Sequence, residues 1–315
     1  MNDLVSVIIP TYQRPEMLRQ AIWSIKAQDY PNLELIVVDD HSGDNTSLIS
    51  QEFSDVIYYE NSRNQGPGFS RKFGLSVSHG KYIVFIDDDD FYISDSFFSN
   101  AVEKFHANNQ YAFVAASAKS MDQATGKLEE SPLNIQGEMD AIEYLSGFSF
   151  RYDVPLTFAT MFSRKHLETC GVFEMQMVNH MPMIMRCLQS GKVFFLSDYV
   201  GVYRKHSSNI SNAISADFLI DNLKEKYEIY LLIKSKQLFE DYNAWWLEQL
   251  KTTVGYFVYG SHPSLNELKK VRKWCLLNAE DKESVEKLFD QYCAYLIDNM
   301  ICAVKRKIKK VLGIK

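Results

Sequence analysis

Four consecutive aspartates, Asp87 to Asp90, follow an apolar run that ends at Ile86. Adjacent carboxylates repel one another, so a bound cation would favour this arrangement. Oxygen ligands of this kind suit Mg²⁺ or Mn²⁺, and either ion can also hold a diphosphate. The motif therefore predicts a divalent metal site. A solvated acidic turn that caps a helix near Ser94 is the plainer alternative.

Two further polar segments follow apolar runs. Asp39 and Asp40 end the run 33–38, where a carboxylate can accept hydrogen bonds from a nucleobase or ribose, or bond within its own turn. The segment 64–68 (Asn-Gln-Gly-Pro-Gly) precedes Arg71. It is either a plain turn or a helix N-terminus that favours an anionic diphosphate. Because Arg71 stands at the third glycine position of a dinucleotide fingerprint, a nicotinamide-dependent dehydrogenase is disfavoured.

The elements that must position these residues alternate along the first ~90 residues. Near-continuous apolar runs predict strands at 5–9, 33–38, 56–59 and 82–86. Helical patterns lie between them, one beginning near Pro15 and one covering 68–78. Buried strands separated by helices indicate a parallel sheet, whose ligands bind beyond the carboxyl ends of the strands. The polar clusters stand at those ends.

The rest of the chain changes character twice. Between 91 and 215, strands are predicted at 112–117 and 193–196, helices at 164–170 and 181–190, and a polar loop at 126–137. From 216 onward apolar residues recur at helical spacing. The sequence thus predicts an α/β domain over 1–215, with a Rossmann-like, mostly parallel sheet flanked by helices, and an α-helical C-terminal region over 216–315.

The composition indicates the class of partner and the cellular compartment. The 315 residues carry a net charge of −6, which gives no reason to expect nucleic acid as a partner. We find no secretory signal pattern and no apolar stretch near the ~18 residues of a membrane-spanning helix. Five scattered cysteines without a Cys-x-x-Cys spacing argue against structural zinc and a disulfide framework. We therefore expect a cytoplasmic protein.

Taken together, the segments resemble one family. The run 5–12 (Val-Ser-Val-Ile-Ile-Pro-Thr-Tyr) with Arg14, the Asp39-Asp40 pair, the segment 64–66 with Arg71, and the aspartate cluster are similar in order and spacing to the family 2 inverting glycosyltransferases. A weaker likeness continues to about residue 212. The resemblance implies the A-type nucleotide-sugar fold and transfer of a sugar from a UDP-sugar donor to an acceptor hydroxyl, with Mn²⁺ or Mg²⁺ as cofactor and inversion at the anomeric carbon.

The resemblance also implies roles for individual residues. Thr11 and Tyr12 would border the nucleobase pocket, Asp40 would bind uracil, and Asp87, Asp89 and His206 would hold the metal. A surface histidine is the plainer reading of His206. The full set expected to bind the donor is Pro10, Thr11, Tyr12, Arg14, Asp40, Gly66, Arg71, Asp87 and Asp88.

The chain departs from the family pattern where relatives carry a Glu-Asp pair whose aspartate is the catalytic base. Counting back from Arg186 places Asn179 and His180 at these positions. Either His180 is the base, since an imidazole suits that task, or Glu174 or another carboxylate has replaced it. A third reading is a site that binds the donor without efficient transfer, as in a sugar-nucleotide-binding scaffold protein.

The last residues form a basic amphipathic pattern. Apolar residues recur from Ile297 to Val311, and six basic residues lie at positions 305–315. Such helices bind anionic membrane surfaces, which would suit an acceptor glycan carried on a lipid at the inner face of the cell membrane. The alternatives are packing on the domain and a contact between copies of the chain. The family habit and this segment favour surface glycan, capsule or teichoic acid assembly.

Overall fold

The computed structural model describes residues 3–206 and 214–312, and the side chains of 3–206 and 214–302. The chain divides into two compact units, Met1–His206 and Ser207–Lys315.

The first unit is built on one sheet. Its described strands are β1 (Val5–Thr11), β2 (Leu33–Asp39), β3 (Val56–Glu60), β4 (Tyr82–Phe85), β5 (Phe91–Tyr92), β6 (Tyr111–Asp122), β7 (Leu128–Ser131), β8 (Gly137–Asp140), β9 (Thr160–Ser163) and β10 (Lys192–Lys205). Its helices are α1 (Pro15–Lys26), α2 (Ile49–Glu52), α3 (Pro67–Val77), α4 (Phe97–Ala107), α5 (Ala141–Ser146), α6 (Arg164–Thr169) and α7 (His180–Cys187).

The strand order is β3-β2-β1-β4-β9-β6-β10-β5, with β7 beside β6 and β8 beside β10. Strands β1 to β4 are mutually parallel, β9 runs antiparallel to both β4 and β6, and β10 runs parallel to β6. Every residue of β1 is buried, as expected for a central parallel strand covered on both faces. The carboxyl ends of β1, β2, β4, β6 and β10 therefore lie at one edge.

Helix α3 approaches this sheet closely. Pro67 is its first residue, where the missing N–H costs nothing. A Cβ at Gly74 would lie 2.4 Å from Cγ2 of Ile8 and 3.3 Å from Cγ2 of Val38. Glycine at this position lets α3, which carries Arg71, pack directly on β1 and β2.

The second unit is helical. It comprises α8 (Ala216–Lys236), α9 (Tyr242–Tyr256) with a π-helical turn at Phe257–Ser261, α10 (Leu265–Leu277) and α11 (Lys282–Leu312). Ser264 and Glu267 form a capping box at the start of α10. Its core includes Leu223, Trp245 and Leu250. Among the described helices, none is both long and apolar enough to cross a membrane.

The predicted fold class is confirmed: a largely parallel α/β sheet with flanking helices precedes a helical C-terminal region. The predicted loop at 126–137 is wrong in part, because Leu128–Ser131 pairs antiparallel with β6. All four residues of this strand are exposed, so no apolar alternation marked it. The assignment of donor chemistry to 1–215 and of a separate domain to 216–315 stays a prediction.

Candidate active site

The four aspartates lie at the carboxyl edge of the sheet, directly after β4. The chain turns there, and the Asp90 N–H donates to the Asp87 carbonyl at 3.1 Å. The ends of β1 and β2 place Thr11 and Asp40 at the same edge, and the end of β10 adds His206. Parallel pairing therefore brings together residues that are far apart in sequence.

Basic side chains oppose the carboxylates. Nη1 of Arg14 lies 3.1 Å from Asp88 and 2.6 Å from Asp89. Arg71 pairs with Asp87, and Nε2 of His206 lies 2.9 Å from Oδ2 of Asp89. The repulsion among the four carboxylates was expected to favour a bound cation. In the structure these basic side chains already relieve part of that repulsion.

Three of the four aspartates, Asp88 to Asp90, are buried. Asp88 accepts hydrogen bonds from Oγ1 of Thr11 at 2.7 Å and from the N–H of Tyr12 at 3.3 Å. Burial raises the pKa of Asp88 to about 7, and the neighbouring Asp89 contributes. Burial also raises the pKa of Asp90 well above its usual value, although Asp90 accepts the N–H of Arg204 at 3.2 Å. These contacts attach the aspartate turn to the ends of β1 and β10.

A divalent ion fits the remaining geometry. Asp87, Asp89 and Asp90 each offer one carboxylate oxygen, and these three atoms lie within 4.8 Å of one another. An all-oxygen donor set suits Mg²⁺ or Mn²⁺. The side chain of Asp87 is 37% exposed and that of Asp89 7%, so the group opens to solvent through Asp87. Asp90 is the member that the motif comparison did not assign to the metal.

Asp40 organises the loop before α3. It accepts the N–H of Gln65 at 2.9 Å, the N–H of Gly66 at 2.6 Å and Nδ2 of Asn61 at 2.8 Å. Gly66 adopts φ +89°, a conformation that glycine adopts without strain. The residue predicted to bind uracil thus also fixes the segment that leads to Arg71.

The other predicted donor-binding residues take different positions around this edge. Pro10 is buried within β1, opposite Val38 in the register. Tyr12 is 42% exposed. Arg71 is buried, and its Nε has no hydrogen-bond partner.

His180 begins α7 beside the acidic cluster. Its Nε2 is buried without a hydrogen-bond partner, and the ring bonds to the backbone of Pro155. Since proline offers only a carbonyl, the other ring nitrogen donates there. Burial, with help from the positive charge of Arg71, lowers the pKa of His180 to about 4, while Asp87 and Pro155 oppose the shift. The imidazole is neutral at pH 7.

Glu174 lies elsewhere, in the turn between α6 and α7. It is exposed. A Cβ at Gly171 would lie 3.4 Å from its Oε2 and 3.9 Å from Nη1 of Arg186, so the Glu174 carboxylate faces the neighbourhood of Arg186. Of the two candidate bases, the structure brings His180 close to Arg71 and Asp87.

The start of α7 also packs on the start of α3. The N–H of Val178 donates to the Gly68 carbonyl at 2.9 Å. A Cβ at Gly68 would lie 2.7 Å from Oδ1 of Asn179 and 3.2 Å from Cβ of Met177, so a larger residue would require these side chains to shift. The packing holds His180 beside the helix that carries Arg71.

A sequence model of the family described as glycosyl transferase family 2 matches residues 6–180, which is more than half of the chain. The chain belongs to glycosyl transferase family 2. The match covers the strands and helices that carry the aspartate turn, the Asp40 loop and the first residue of α7.

A curated relative is consistent with this membership. The chain is 40% identical over 115 residues to the GalNAc(5)-diNAcBac-PP-undecaprenol beta-1,3-glucosyltransferase of Campylobacter jejuni, a match that covers 35% of this chain and 36% of that protein. The matched segment thus spans about a third of the relative's length.

Two solved structures share the fold. S. aureus TarS 1–349, in complex with UDP-GlcNAc, has TM-score 0.65 and 19% identity, and the match covers 94% of this chain and 88% of that chain. The mannosyltransferase PcManGT of Pyrobaculum calidifontis, in complex with GDP-Man and Mn²⁺, has TM-score 0.51 and 14% identity, covering 95% and 88%.

Several residues that hold the site of this family 2 chain in place were not predicted from the sequence. Asn61 and Gln65 bind Asp40, and Pro155 orients His180. Asn61 directly follows β3, so it lies at the same edge of the sheet as the other site residues. A polar residue at the end of a predicted strand is a signal from which it could have been predicted. Pro155 lies in an irregular segment whose path no periodicity reveals.

Proposed function

We propose that this chain is a metal-dependent inverting glycosyltransferase that moves a sugar from a UDP-sugar to an acceptor hydroxyl. The observation that carries the proposal is the group of three carboxylates, Asp87, Asp89 and Asp90, at the carboxyl edge of a family 2 sheet. The UDP-GlcNAc bound to TarS, which shares the fold, supports the class of donor.

The donor would lie along the edge defined by β1, β2 and α3. Tyr12 is exposed beside the buried Thr11 and can cover a flat base. Asp40 keeps the loop at Gly66 in place at the start of α3. Arg14 and Arg71 supply positive charge next to the carboxylates, where a diphosphate needs it.

Asp87, Asp89 and Asp90 would hold Mn²⁺ or Mg²⁺, with His206 bonded to Asp89. Such an ion, when bound, offsets the negative charge that develops on the departing diphosphate. The complex of PcManGT with Mn²⁺ and GDP-Man supports this class of ion. Arg71 pairs with Asp87, one of the carboxylates that would hold the ion, and would supply positive charge beside the diphosphate.

His180 is the residue we assign to proton abstraction. Its ring is neutral and its Nε2 has no partner, so this nitrogen would accept the acceptor hydroxyl proton once sugar binding exposes it. A pKa of about 4 makes it a weak base in the free protein. Glu174 is the alternative, and it is exposed beside Arg186.

The test is release of UDP from a panel of UDP-sugars, with and without a mixture of candidate acceptors, in Mn²⁺, Mg²⁺ or EDTA. We expect turnover with one donor and an ion, and none in EDTA. A protein that binds UDP but neither hydrolyses nor transfers any donor would instead match the scaffold reading. The weak basicity of His180 specifically favours that reading as the second candidate.

We further propose an acceptor glycan carried on a lipid, and peripheral contact with the inner face of the cell membrane. The name of the Campylobacter jejuni relative includes an undecaprenol-linked glycan. The basic residues Lys305, Arg306, Lys307, Lys309 and Lys310 continue the pattern of α11. Their side chains lie outside the described residues, so this proposal rests on the sequence pattern.

Co-sedimentation with vesicles that contain anionic lipid tests the membrane contact. We expect the full chain to bind and a variant with these five residues changed to Gln to remain in solution. Equal sedimentation of both forms would remove the proposal. A contact between copies of the chain, the alternative role of this segment, is checked separately by analytical ultracentrifugation without lipid.

A further inference from the structure

Two cysteines of the first unit lie side by side. Cys170 follows the last residue of α6, and Cys187 is the last residue of α7. Their Sγ atoms are 3.8 Å apart, and the Cys170 thiol also lies 3.6 Å from the Leu167 carbonyl. All five cysteines of the chain are free thiols. A disulfide requires the two sulfurs to approach to ~2.05 Å, which is within reach of small side-chain rotations.

The two thiols differ in environment. Cys187 is 2% exposed, whereas Cys170 is partly exposed. The contact with Cys187 lowers the pKa of Cys170, and the N–H of Val172 and the charge of Arg186 act in the same direction against burial. Burial raises the pKa of Cys187 well above its usual value. Reactive thiols are the accessible ones with lowered pKa.

We propose that Cys170 and Cys187 are an oxidation site at which hydrogen peroxide converts the two thiols into a disulfide between α6 and α7. The Cys170 thiolate attacks the peroxide oxygen, the O–O bond breaks, and the sulfur becomes a sulfenic acid as one water leaves. Cys187 then attacks the Cys170 sulfur, the S–S bond forms, and the sulfenic oxygen leaves as a second water. Two thiols and one peroxide give one disulfide and two waters.

The bridge would close a ring over residues 170–187. This ring contains Glu174 and the segment at Val178 and Asn179 that packs on Gly68, and also His180 at the start of α7. A covalent link at its base would restrain the approach of α7 to α3. An effect on turnover rests on the proposed transferase function, whereas formation of the bridge does not.

The experiment uses the full chain, reduced, desalted and treated with an equimolar amount of hydrogen peroxide. Trypsin cleaves after Lys165, Arg186 and Lys192, so Cys170 and Cys187 fall on separate peptides, 166–186 and 187–192. We expect mass spectrometry to find these peptides joined, two hydrogens lighter than their sum, and separated again by reductant. Oxidation of methionine adds oxygen without joining peptides, so it is distinguishable.

Matched variants make the result decisive. Cys302 is exposed on α11, and Cys302→Ser should leave the joined pair unchanged while removing links between copies. Cys187→Ser should abolish the joined pair and allow dimedone to trap a sulfenic acid at Cys170. Overoxidation of Cys170 to sulfinic acid in the unsubstituted chain, or recovery of both peptides as free thiols, would overturn the proposal.

Discussion

The resemblance to family 2 places a catalytic base at the position of His180, and the structure gives this residue a neutral ring with an unpartnered Nε2 next to Arg71 and Asp87. An imidazole can take a proton at neutral pH only while it is uncharged. Burial keeps it uncharged here. If His180 is the base, a histidine in place of a carboxylate would keep the ability to accept a proton and would remove a negative charge from the site.

We predict that His180→Ala lowers kcat by ~10²–10⁴, the usual contribution of a general base, and leaves the Kd for the UDP-sugar within about threefold. Steady-state UDP release and calorimetric titration measure the two quantities. His106→Ala is the control, since this exposed histidine bonds to Asp3 away from the aspartate turn. Unchanged turnover in His180→Ala would assign the base elsewhere, with Glu174 the next residue to test.

At the residue scale the sequence predicted which side chains lie near one another. It did not predict most of the specific pairings between them. The aspartates follow a strand, and parallel strands end at one edge, so their proximity to Thr11 and Asp40 was derivable. The pairing of Arg14 with Asp88 and Asp89 was not. Long side chains reach several partners, and only the path of the loop after β1 selects among them.

Helix α3 is the element on which the arrangement depends most. It positions Arg71, and its first turn contacts the segment before α7. Its fit to the sheet requires a glycine at position 74, because a Cβ there would lie 2.4 Å from Ile8. Overpacking a close helix–sheet contact costs ~1–3 kcal/mol.

We predict that Gly74→Ala lowers the free energy of unfolding by ~1–3 kcal/mol and weakens donor binding by displacing Arg71. Chemical denaturation followed by circular dichroism measures the first effect. Ser76→Ala on the exposed face of the same helix controls for helix propensity and should change stability by less than ~0.5 kcal/mol. Equal stability of the Gly74 variant and the unsubstituted chain would show that α3 can shift without cost.

Strands and helices were predictable from the sequence where burial leaves a recognisable pattern of apolar residues. Strands β1, β2 and β4 are buried on both faces and read as apolar runs. Strand β7 is exposed throughout and owes its existence to backbone pairing with β6, which leaves no hydrophobic signal. The reversed direction of β9 between β4 and β6 is likewise set by pairing and connection, which periodicity cannot report.

On the scale of the whole molecule, the helical unit contains a buried lysine in the middle of α8. The sequence pattern did not predict its burial. Lys226 is 3% exposed, and its Nζ bonds to Oγ1 of Thr253 at 2.8 Å and to Oε1 of Gln249 at 3.4 Å. Burial among these neutral partners lowers the pKa of Lys226 to about 7.

This shift makes the stability of the helical unit depend on pH. The unfolded lysine has its usual pKa near 10.5 and binds a proton that the folded one has lost, so unfolding takes up a proton between about pH 7 and 10.5. Stability from this group is therefore greatest above pH 10.5 and falls as pH drops through that window.

We predict that Lys226→Met stabilises the chain at pH 7, by up to ~4 kcal/mol less the hydrogen bonds lost at Thr253, and that this gain shrinks as pH rises to 10. Urea denaturation at both pH values, followed by tryptophan fluorescence, measures the difference. Lys224→Met, an exposed lysine on the same helix, should show no such trend. A gain independent of pH would mean that Lys226 is charged in the folded protein.

The proposed function depends on one feature: the carboxylates after β4 hold a divalent ion and, through it, the diphosphate of the donor. Calorimetric titration of UDP into the full chain, in Mn²⁺ and in EDTA, tests this most directly. Asp89→Asn would be compared with Asp198→Asn, an exposed aspartate outside the group of three carboxylates, with circular dichroism confirming that both fold. We predict that UDP binds in Mn²⁺, and that EDTA or Asp89→Asn weakens binding at least tenfold while Asp198→Asn does not. Equal affinity for UDP with and without the ion, or no affinity in either, would contradict the account.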